Sequence, residues 1–501
     1  MLYPIVLSPN VSSSFMVCLK GGIPQEMRRT KIVCTIGPAS RDPGTVRRLV
    51  PNVDVFRINF SHGDRSSHLD EIRTIRRVAK HAERLVALLQ DLPGPKIRVG
   101  RIANGSVDLI RGSEVLMVSS EADGTASRIP INNPELLKSV DAGDILHLAD
   151  GTIRLRVENA SKKGARCIVL AGGILSSGKG VNAPGVRLKV EYPTRKDVDH
   201  LKFGLRQGVD FIAISFVRSA SDVRAVRRLI PLDGPRVIAK IEKKEAVRNF
   251  DGILAEADGI MVARGDLGIE VPIETVPVIQ KEIIRKCNEA GKPVIVATQM
   301  LLSMVNFPVP SRAEVTDVST AILDGTDAVM LSDETTVGKY PVEAVRMLDK
   351  IARSTEKSLQ SKAVPEIETS DTGSAIARAA CGLADYVGAK AIVAPTQTGT
   401  TARRVSMYRP RHPIVAICTQ SRVARMLKLY RGVVPVVSKR ARTMDWLFAR
   451  ADLAAMQLGL AKEGERIVVT SGTPGMYGTT NLIKVSVVGS RAPRPSGHEV
   501  H

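Results

Sequence analysis

Eight short apolar runs, nearly all ending in polar or charged residues, set the narrowest limit on what this chain can fold into. They are Lys31–Ile36, Val53–Asn59, Leu85–Gln90, Phe211–Phe216, Val237–Ile241, Gly259–Ala263, Pro293–Ala297 and Ala328–Leu331. Helical patterns separate most of them. Strands that alternate with helices build a parallel sheet, and eight such units close into a (β/α)8 TIM barrel. In such a barrel the active site gathers at the C-terminal ends of the strands. Composition agrees. Of the 501 residues 44% are hydrophobic and only 3% aromatic, with Val, Ile, Leu and Ala supplying the bulk. Strands covered on both faces are made of such residues.

A long insertion interrupts the series between the third and fourth runs. Here apolar and polar residues alternate between turns, as in Glu114–Val118, Asp144–His147, Thr152–Val157 and Arg166–Leu170. This reads as an inserted all-β barrel lid domain over residues 96–192. The flanking segments, 28–95 and 193–358, form the (β/α)8 barrel. A helical stretch ends near Ser358, and a polar linker follows at Ser361–Thr372. Further apolar runs at Ala391–Ala394, Ile414–Cys418, Val433–Val437, Arg466–Thr470 and Leu482–Val488 mark a separate C-terminal α/β domain, 359–490. Residues 1–27 read as a disordered extension, or as an upstream start with the true one at Met16 or Met27. Residues 491–501 read as a disordered tail.

The 72 Lys and Arg outnumber the 51 Asp and Glu, for a formal charge of +21. The basic residues are spread along helical stretches such as Arg73–Arg77 with few aromatic neighbours. That describes a solvated face rather than a nucleic-acid groove, and its expected consequence is attraction of anionic substrates. The six cysteines are scattered with no CxxC pair, so neither a disulfide framework nor a zinc site follows, and a reducing cytoplasm is expected. No apolar run is long enough to span a membrane.

The chemistry concentrates at the run ends. Alternate side chains of a strand share a face, so Lys240 and Glu242 point one way and Ile241 the other. The next run delivers Asp266 beside Gly265. Mg²⁺ takes few protein carboxylates and keeps room for water and phosphate oxygens, so Glu242 and Asp266 are the expected metal ligands. A buried salt bridge with Lys240 is the plainer alternative, but buried pairs are costly and tend to mark function. The amides at Gly265–Asp266 suit a substrate carboxylate. Arg57, Asn59 and Ser61 share a face at the second run. Arg grips phosphate bidentately, while Asn and Ser offer neutral oxygens for a monovalent cation or a phosphate partner. His62 lies beyond the strand and suits a nucleotide contact. The segment Asp91-Leu92-Pro93-Gly94-Pro95-Lys96-Ile97-Arg98 is stiff but bent, as a lid hinge should be. Thr298 ends the seventh run, where it can donate to a carboxylate, and Ser332 ends the eighth. Placed at one end of one barrel, these weak signals become jointly strong.

On these motifs the chain resembles the pyruvate kinase family. The resemblance is carried by Lys31 to Ser40, Arg57 to Gly63, Gly94-Pro95-Lys96-Ile97-Arg98, Lys240-Ile241-Glu242, Met261 to Gly268, Ala297 to Leu301, Arg312-Ala313-Glu314 and Asp324 to Ser332, and it spans about residues 28–490. It implies phosphoryl transfer from phosphoenolpyruvate to ADP with Mg²⁺ or Mn²⁺. It implies that Lys240 stabilises the transferring group, that Glu242 and Asp266 bind the metal, and that Arg57 contacts the phosphate. Gly265, Asp266 and Thr298 would hold the substrate carboxylate. Asn59, Ser61, His62, Arg98 and Lys196 match nucleotide-site positions. Thr298 and Ser332 with water are the candidate relay for protonating the enolate. A homotetramer is implied, with Arg312-Ala313-Glu314 at an interface. A Mg²⁺-dependent lyase or aldolase on the same barrel is the alternative, although it would need no nucleotide clamp.

Three departures from the family pattern matter. Potassium-dependent members carry Glu where Lys96 stands and Thr where Leu92 stands. An ammonium fixed near the monovalent-cation positions Asn59, Ser61 and Asp91 would do the electrostatic work of K⁺, so activity without K⁺ is expected. Asp333 replaces a usual Gly. The loop Thr396-Gln397-Thr398-Gly399-Thr400-Thr401 suits a phosphate pocket, and its resemblance implies a phosphorylated allosteric effector. Gln397 stands where fructose 1,6-bisphosphate-regulated members commonly carry Lys.

Overall fold

The computed structural model describes residues 15–16, 27–161, 164–186, 191–359, 371–473 and 480–490. Most of the expected extension 1–27, most of the linker and the whole 491–501 tail lie outside the described residues. Within the extension, Phe15–Met16 pairs antiparallel with Val437 and Ser438 at the edge of the C-terminal sheet.

Eight parallel strands close a barrel. They are β1 (Lys31–Ile36), β2 (Val55–Asn59), β3 (Ala87–Leu92), β4 (Phe211–Ile214), β5 (Arg236–Ile241), β6 (Gly259–Ala263), β7 (Val294–Ala297) and β8 (Ala328–Leu331). The third strand begins two residues later than expected from its apolar run. Alternation explains both cores. Val33, Val55, Leu89, Phe211, Ala213, Ile238, Met261 and Ile295 point inward and fill the barrel. Ile32, Cys34, Phe56, Ile58, Ile212, Val237, Ala239 and Ile241 point outward under the helices. The inward set, continued toward the C-terminal ends, arrives at Thr35, Arg57, Asp91, Ser215 and Lys240. The period that packs the barrel therefore also aims polar groups at its mouth.

The insertion between β3 and the helix Arg195–Gln207 forms a six-stranded sheet and a two-stranded ribbon around its own apolar core. At the hinge, the Gly94 amide donates to Asp197 Oδ1 at 3.0 Å, tying the outgoing segment to the first turn of the helix on the return side. The C-terminal domain is a six-stranded sheet with four parallel central strands and antiparallel edges.

That domain also closes the N-terminal floor of the barrel. Leu429 is fully buried and joins the barrel's interior core, with Met426 packed beside it. Around this plug stand Asp54, Asp210, Asp258 and Asp327, each one residue ahead of an even-numbered strand. Each caps the neighbouring odd-numbered strand through one oxygen, accepting from the amides of Ile32, Leu88, Val237 and Val294 at 2.9–3.1 Å. Three reach cations of the C-terminal domain: Asp54 pairs with Lys428 at 2.7 Å, Asp210 with Arg425 at 2.8 Å and Asp327 with Arg409 at 2.7 Å. Asp258 pairs instead with the barrel's own Arg227 and Arg236.

Candidate active site

At the opposite end, Lys240 is the centre of the site. Its ammonium lies 2.8 Å from Glu242, 2.8 Å from the Ser215 hydroxyl and 3.3 Å from Asp91. Burial alone would lower its pKa, but Asp91 and Glu242 override this and push it up to about 12. The ammonium is therefore permanently charged. Asp91 is shared. Its other oxygen accepts from Arg57 Nε at 2.7 Å, and Arg57 also donates to Thr35 Oγ1 at 3.0 Å. Burial would raise Asp91, yet Lys240 and Arg57 hold it below the usual carboxylate range.

Glu242 behaves oppositely. Burial raises it, Lys240 opposes that, and the charge of Asp266 raises it further, leaving the net shift upward. The Phe216 amide donates to its second oxygen at 2.7 Å. Two carboxylates that repel each other, one of them buried, fit a hard divalent cation. Asp266 lies in the first turn of the helix Arg264–Glu270 rather than in a strand, because β6 ends at Ala263. The amide of Gly265 opens that helix and donates to Thr298 Oγ1 at 2.9 Å. Thr298 in turn donates to the Ala297 carbonyl at 2.6 Å and holds φ at +71°, a strained value for a β-branched residue.

The remaining expected residues divide into two groups. Arg98, Lys96 and Arg57 all act on His62, whose pKa is lowered first by burial and then by their charges, with Asp333 opposing. Lys96 places its ammonium 3.5 Å from Asp266. Ser332 follows β8, and its amide donates to the buried Glu334 at 2.8 Å. Asn59 accepts from the Ser61 amide at 3.1 Å, so these two form a turn at the strand end. Leu92 packs into the outer apolar core. Arg98 donates to Gly178 of the lid at 2.9 Å, and Lys196 stands exposed in the helix after the lid. Among the described residues, neither is hydrogen-bonded or ion-paired to the Lys240 group. Sequence reasoning did not single out Ser215, Thr35 or the Phe216 amide. The parity of polar residues at the ends of inward-facing registers was the signal that could have found the first two.

In the C-terminal domain, the loop Thr396–Thr401 borders a cavity of about 140 Å³ that Lys439, Arg440, Arg450 and Thr473 also line. Thr396 Oγ1 accepts from the Gly399 amide at 3.0 Å, and Gly399, at φ +87°, opens the helix Thr400–Met407.

A lidded barrel with a caged ammonium, an arginine and two mutually repelling carboxylates at its mouth fits a metal-assisted phosphoryl-transfer enzyme. Two family models match the chain: pyruvate kinase, barrel domain, over residues 27–345, and pyruvate kinase, alpha/beta domain, over residues 374–486. The pyruvate kinase of Geobacillus stearothermophilus is 45% identical over 482 residues, covering 94% of this chain and 82% of that protein. That of Staphylococcus aureus (strain MRSA252) is 43% identical over 485 residues, with the same coverage. A crystal structure of a pyruvate kinase from Cryptosporidium parvum superposes with a TM-score of 0.85 at 36% identity, covering 92% of this chain and 96% of that one. The chain belongs to the pyruvate kinase family. It is a phosphotransferase that moves the phosphoryl group of phosphoenolpyruvate to ADP, giving pyruvate and ATP, with the family's divalent metal ion. The lyase or aldolase alternative is set aside, since both matched domains and these relatives are pyruvate kinases.

Proposed function

We propose that this enzyme works with Mg²⁺ or Mn²⁺ held by Glu242 and Asp266, and without K⁺. The observation that carries the reading is the Lys240 ammonium, caged by Asp91, Glu242 and Ser215 at 2.8–3.3 Å. A loose phosphoryl transition state gathers charge on its equatorial oxygens and needs fixed cations more than covalent chemistry. Lys240 and Arg57 supply two, and Asp91 orients both. Glu242 and Asp266 would hold the metal, whose positive charge would relieve their mutual repulsion and help offset charge on the phosphoryl group. The Gly265 and Asp266 amides with Thr298 would receive the substrate carboxylate, the Thr298 hydroxyl turning from its own chain to do so. Thr298 and Ser332 flank the route for a proton to the enolate. Asn59, Ser61, His62, Arg98 and Lys196 would meet the nucleotide as the lid closes about its hinge.

Lys96 takes the place of the monovalent cation. Its charge stands beside Asp266 and acts on His62, between the metal and nucleotide sides. The threonine-lined cavity with Lys439, Arg440 and Arg450 would take a phosphorylated effector. A homotetramer is supported by large apolar side chains exposed on the barrel at Ile273, Val278, Phe307, Val309 and Val337. No helix among the described residues is long and apolar enough to cross a membrane, and the cytoplasm is the proposed location.

The test is pyruvate formation from phosphoenolpyruvate and ADP with Mg²⁺ in potassium-free buffer, repeated with KCl and with an ionic-strength control. Full activity without K⁺ is expected. Activity only with K⁺ would sink the role given to Lys96 while leaving the reaction intact.

A further inference from the structure

Phe216 is buried, yet it belongs to none of the apolar cores. Phe56, Phe60, Phe203, Phe211, Phe250 and Phe448 all do. Its ring faces charge instead. Lys96 Nζ lies 6.0 Å from the ring centroid and Lys243 Nζ 5.6 Å. Lys243 is already anchored, 2.6 Å from the buried Glu270. Among the described residues Lys96 has a single ion-paired carboxylate, Asp266, at 3.5 Å. Phe216 also holds φ at +57°, a left-handed backbone that a bulky side chain adopts only when its surroundings impose it. Two interactions converge on the residue in that conformation. The Phe216 amide reaches Glu242 at 2.7 Å while the ring reaches toward Lys96. The hinge leaves room for the ring, because a Cβ at Gly94 would fall 3.0 Å from Phe216 Cδ2.

We propose that Phe216 is a positioning residue whose ring holds the Lys96 ammonium beside Asp266, where it serves as the substitute for a monovalent cation. This deepens the reading of Lys96 as the substitute for that cation and rests on it. A ring attracts an ammonium through its quadrupole, and the attraction grows as water is excluded. The lysine stem is long and carries many rotamers, so an ammonium without a platform spends less time in place. The consequence is specific. Removing the ring should create a potassium requirement rather than a uniform loss of activity.

The experiment compares wild type, Phe216→Leu and Phe216→Tyr in potassium-free buffer and in KCl, with tetramethylammonium chloride as the ionic-strength control. Phe216→Met serves as a second ring-free variant should the leucine protein fold poorly by circular dichroism. Mn²⁺ affinity is followed in the same salts by the paramagnetic resonance of the free ion, independently of turnover. The wild type and Phe216→Tyr should be indifferent to K⁺. Phe216→Leu should lose roughly tenfold in kcat/KM for phosphoenolpyruvate without K⁺ and recover most of it with KCl. Its Mn²⁺ affinity should shift little, because the Glu242 contact is made by the backbone. A ring-free variant that is unaffected, or whose loss KCl does not restore, overturns the assignment. So does a tenfold loss of Mn²⁺ affinity, which would place the role of Phe216 at Glu242. A wild type inactive without K⁺ overturns the reading of Lys96 itself, and it does so before any variant is made.

Discussion

The two ends of the barrel are built from the same parts and do opposite things with them. Both collect buried carboxylates and cations. At the floor each aspartate caps a strand amide with one oxygen and has a cation beside it. Burial would raise Asp54, but Lys428, Arg28 and Lys31 override it and hold it well below the usual carboxylate range. At the mouth the balance is incomplete. Lys240 is over-supplied with anions and pushed up to about 12, while Glu242 is pushed up by burial and by the charge of Asp266. Floor charges are satisfied by the protein itself. Mouth charges are left incomplete, and the proposed metal and phosphoryl group are what would complete them. Asp210 shows the limit of sorting by pKa alone, because burial keeps it raised even with Arg425 at 2.8 Å. Partner completeness separates the two ends better than any single titration.

If this contrast holds, mutations at the two ends should separate activity from stability. Lys240→Met is expected to lower kcat by about 1,000-fold or more, in the range for loss of a major electrostatic contact. The fold should survive, since Arg57 still pairs with Asp91 and Glu242, already raised, can take a proton. A variant near wild-type activity would remove Lys240 from its assigned role. Asp54→Asn should do the reverse. It leaves Lys428 without its counter-ion and Arg28 with Asp349 alone, and should cost about 3–5 kcal/mol in urea unfolding, with the KM for phosphoenolpyruvate unchanged. The sign with pH comes from the depressed Asp54. Its contribution is full above the ordinary carboxylate range and fades as pH falls toward the folded value. The gap between wild type and Asp54→Asn should therefore narrow in acid. An equal gap at pH 7 and at pH 3 would contradict the pairing.

Much of this was legible in the sequence, and the mouth more so than the floor. Strand alternation is local, so a run ending in charge places Lys240 and Glu242 on one face, and the next run's end delivers Asp266. Alternation does not give which run neighbours which across the barrel. Asp91 was therefore read as a hinge and cation-site residue, whereas it is the shared counter-ion of Arg57 and Lys240. The helical placement of Asp266 was hidden for a similar reason, since a glycine after a strand marks a turn without fixing the element that succeeds it. The floor went unread although it carries a repeat. An aspartate stands immediately ahead of β2, β4, β6 and β8, at residues 54, 210, 258 and 327. Its partners Arg409, Arg425 and Lys428 come from a domain far along the chain, and no local pattern announces them.

The smallest expected effect gives the finest test of the floor. Lys31 is buried beneath the C-terminal domain and donates to the Val433 carbonyl at 2.8 Å. Burial lowers its pKa to about 7, with Lys428 and Arg28 adding to the fall and Asp54 resisting it. In the unfolded chain a lysine titrates near 10.4. Between those two values the unfolded state binds more protons than the folded state, so stability rises with pH across this window. The slope has an upper bound of about 1.4 kcal/mol per pH unit. Lys31→Met removes the group and should flatten the rise, so wild type gains on the variant between pH 7 and pH 9.5 in urea midpoints. Parallel pH profiles would mean that the amine stays protonated in the fold. Lys31 would then be a fully compensated member of the floor's charge network, like Lys428, and the floor would have no titrating group near neutrality at that position.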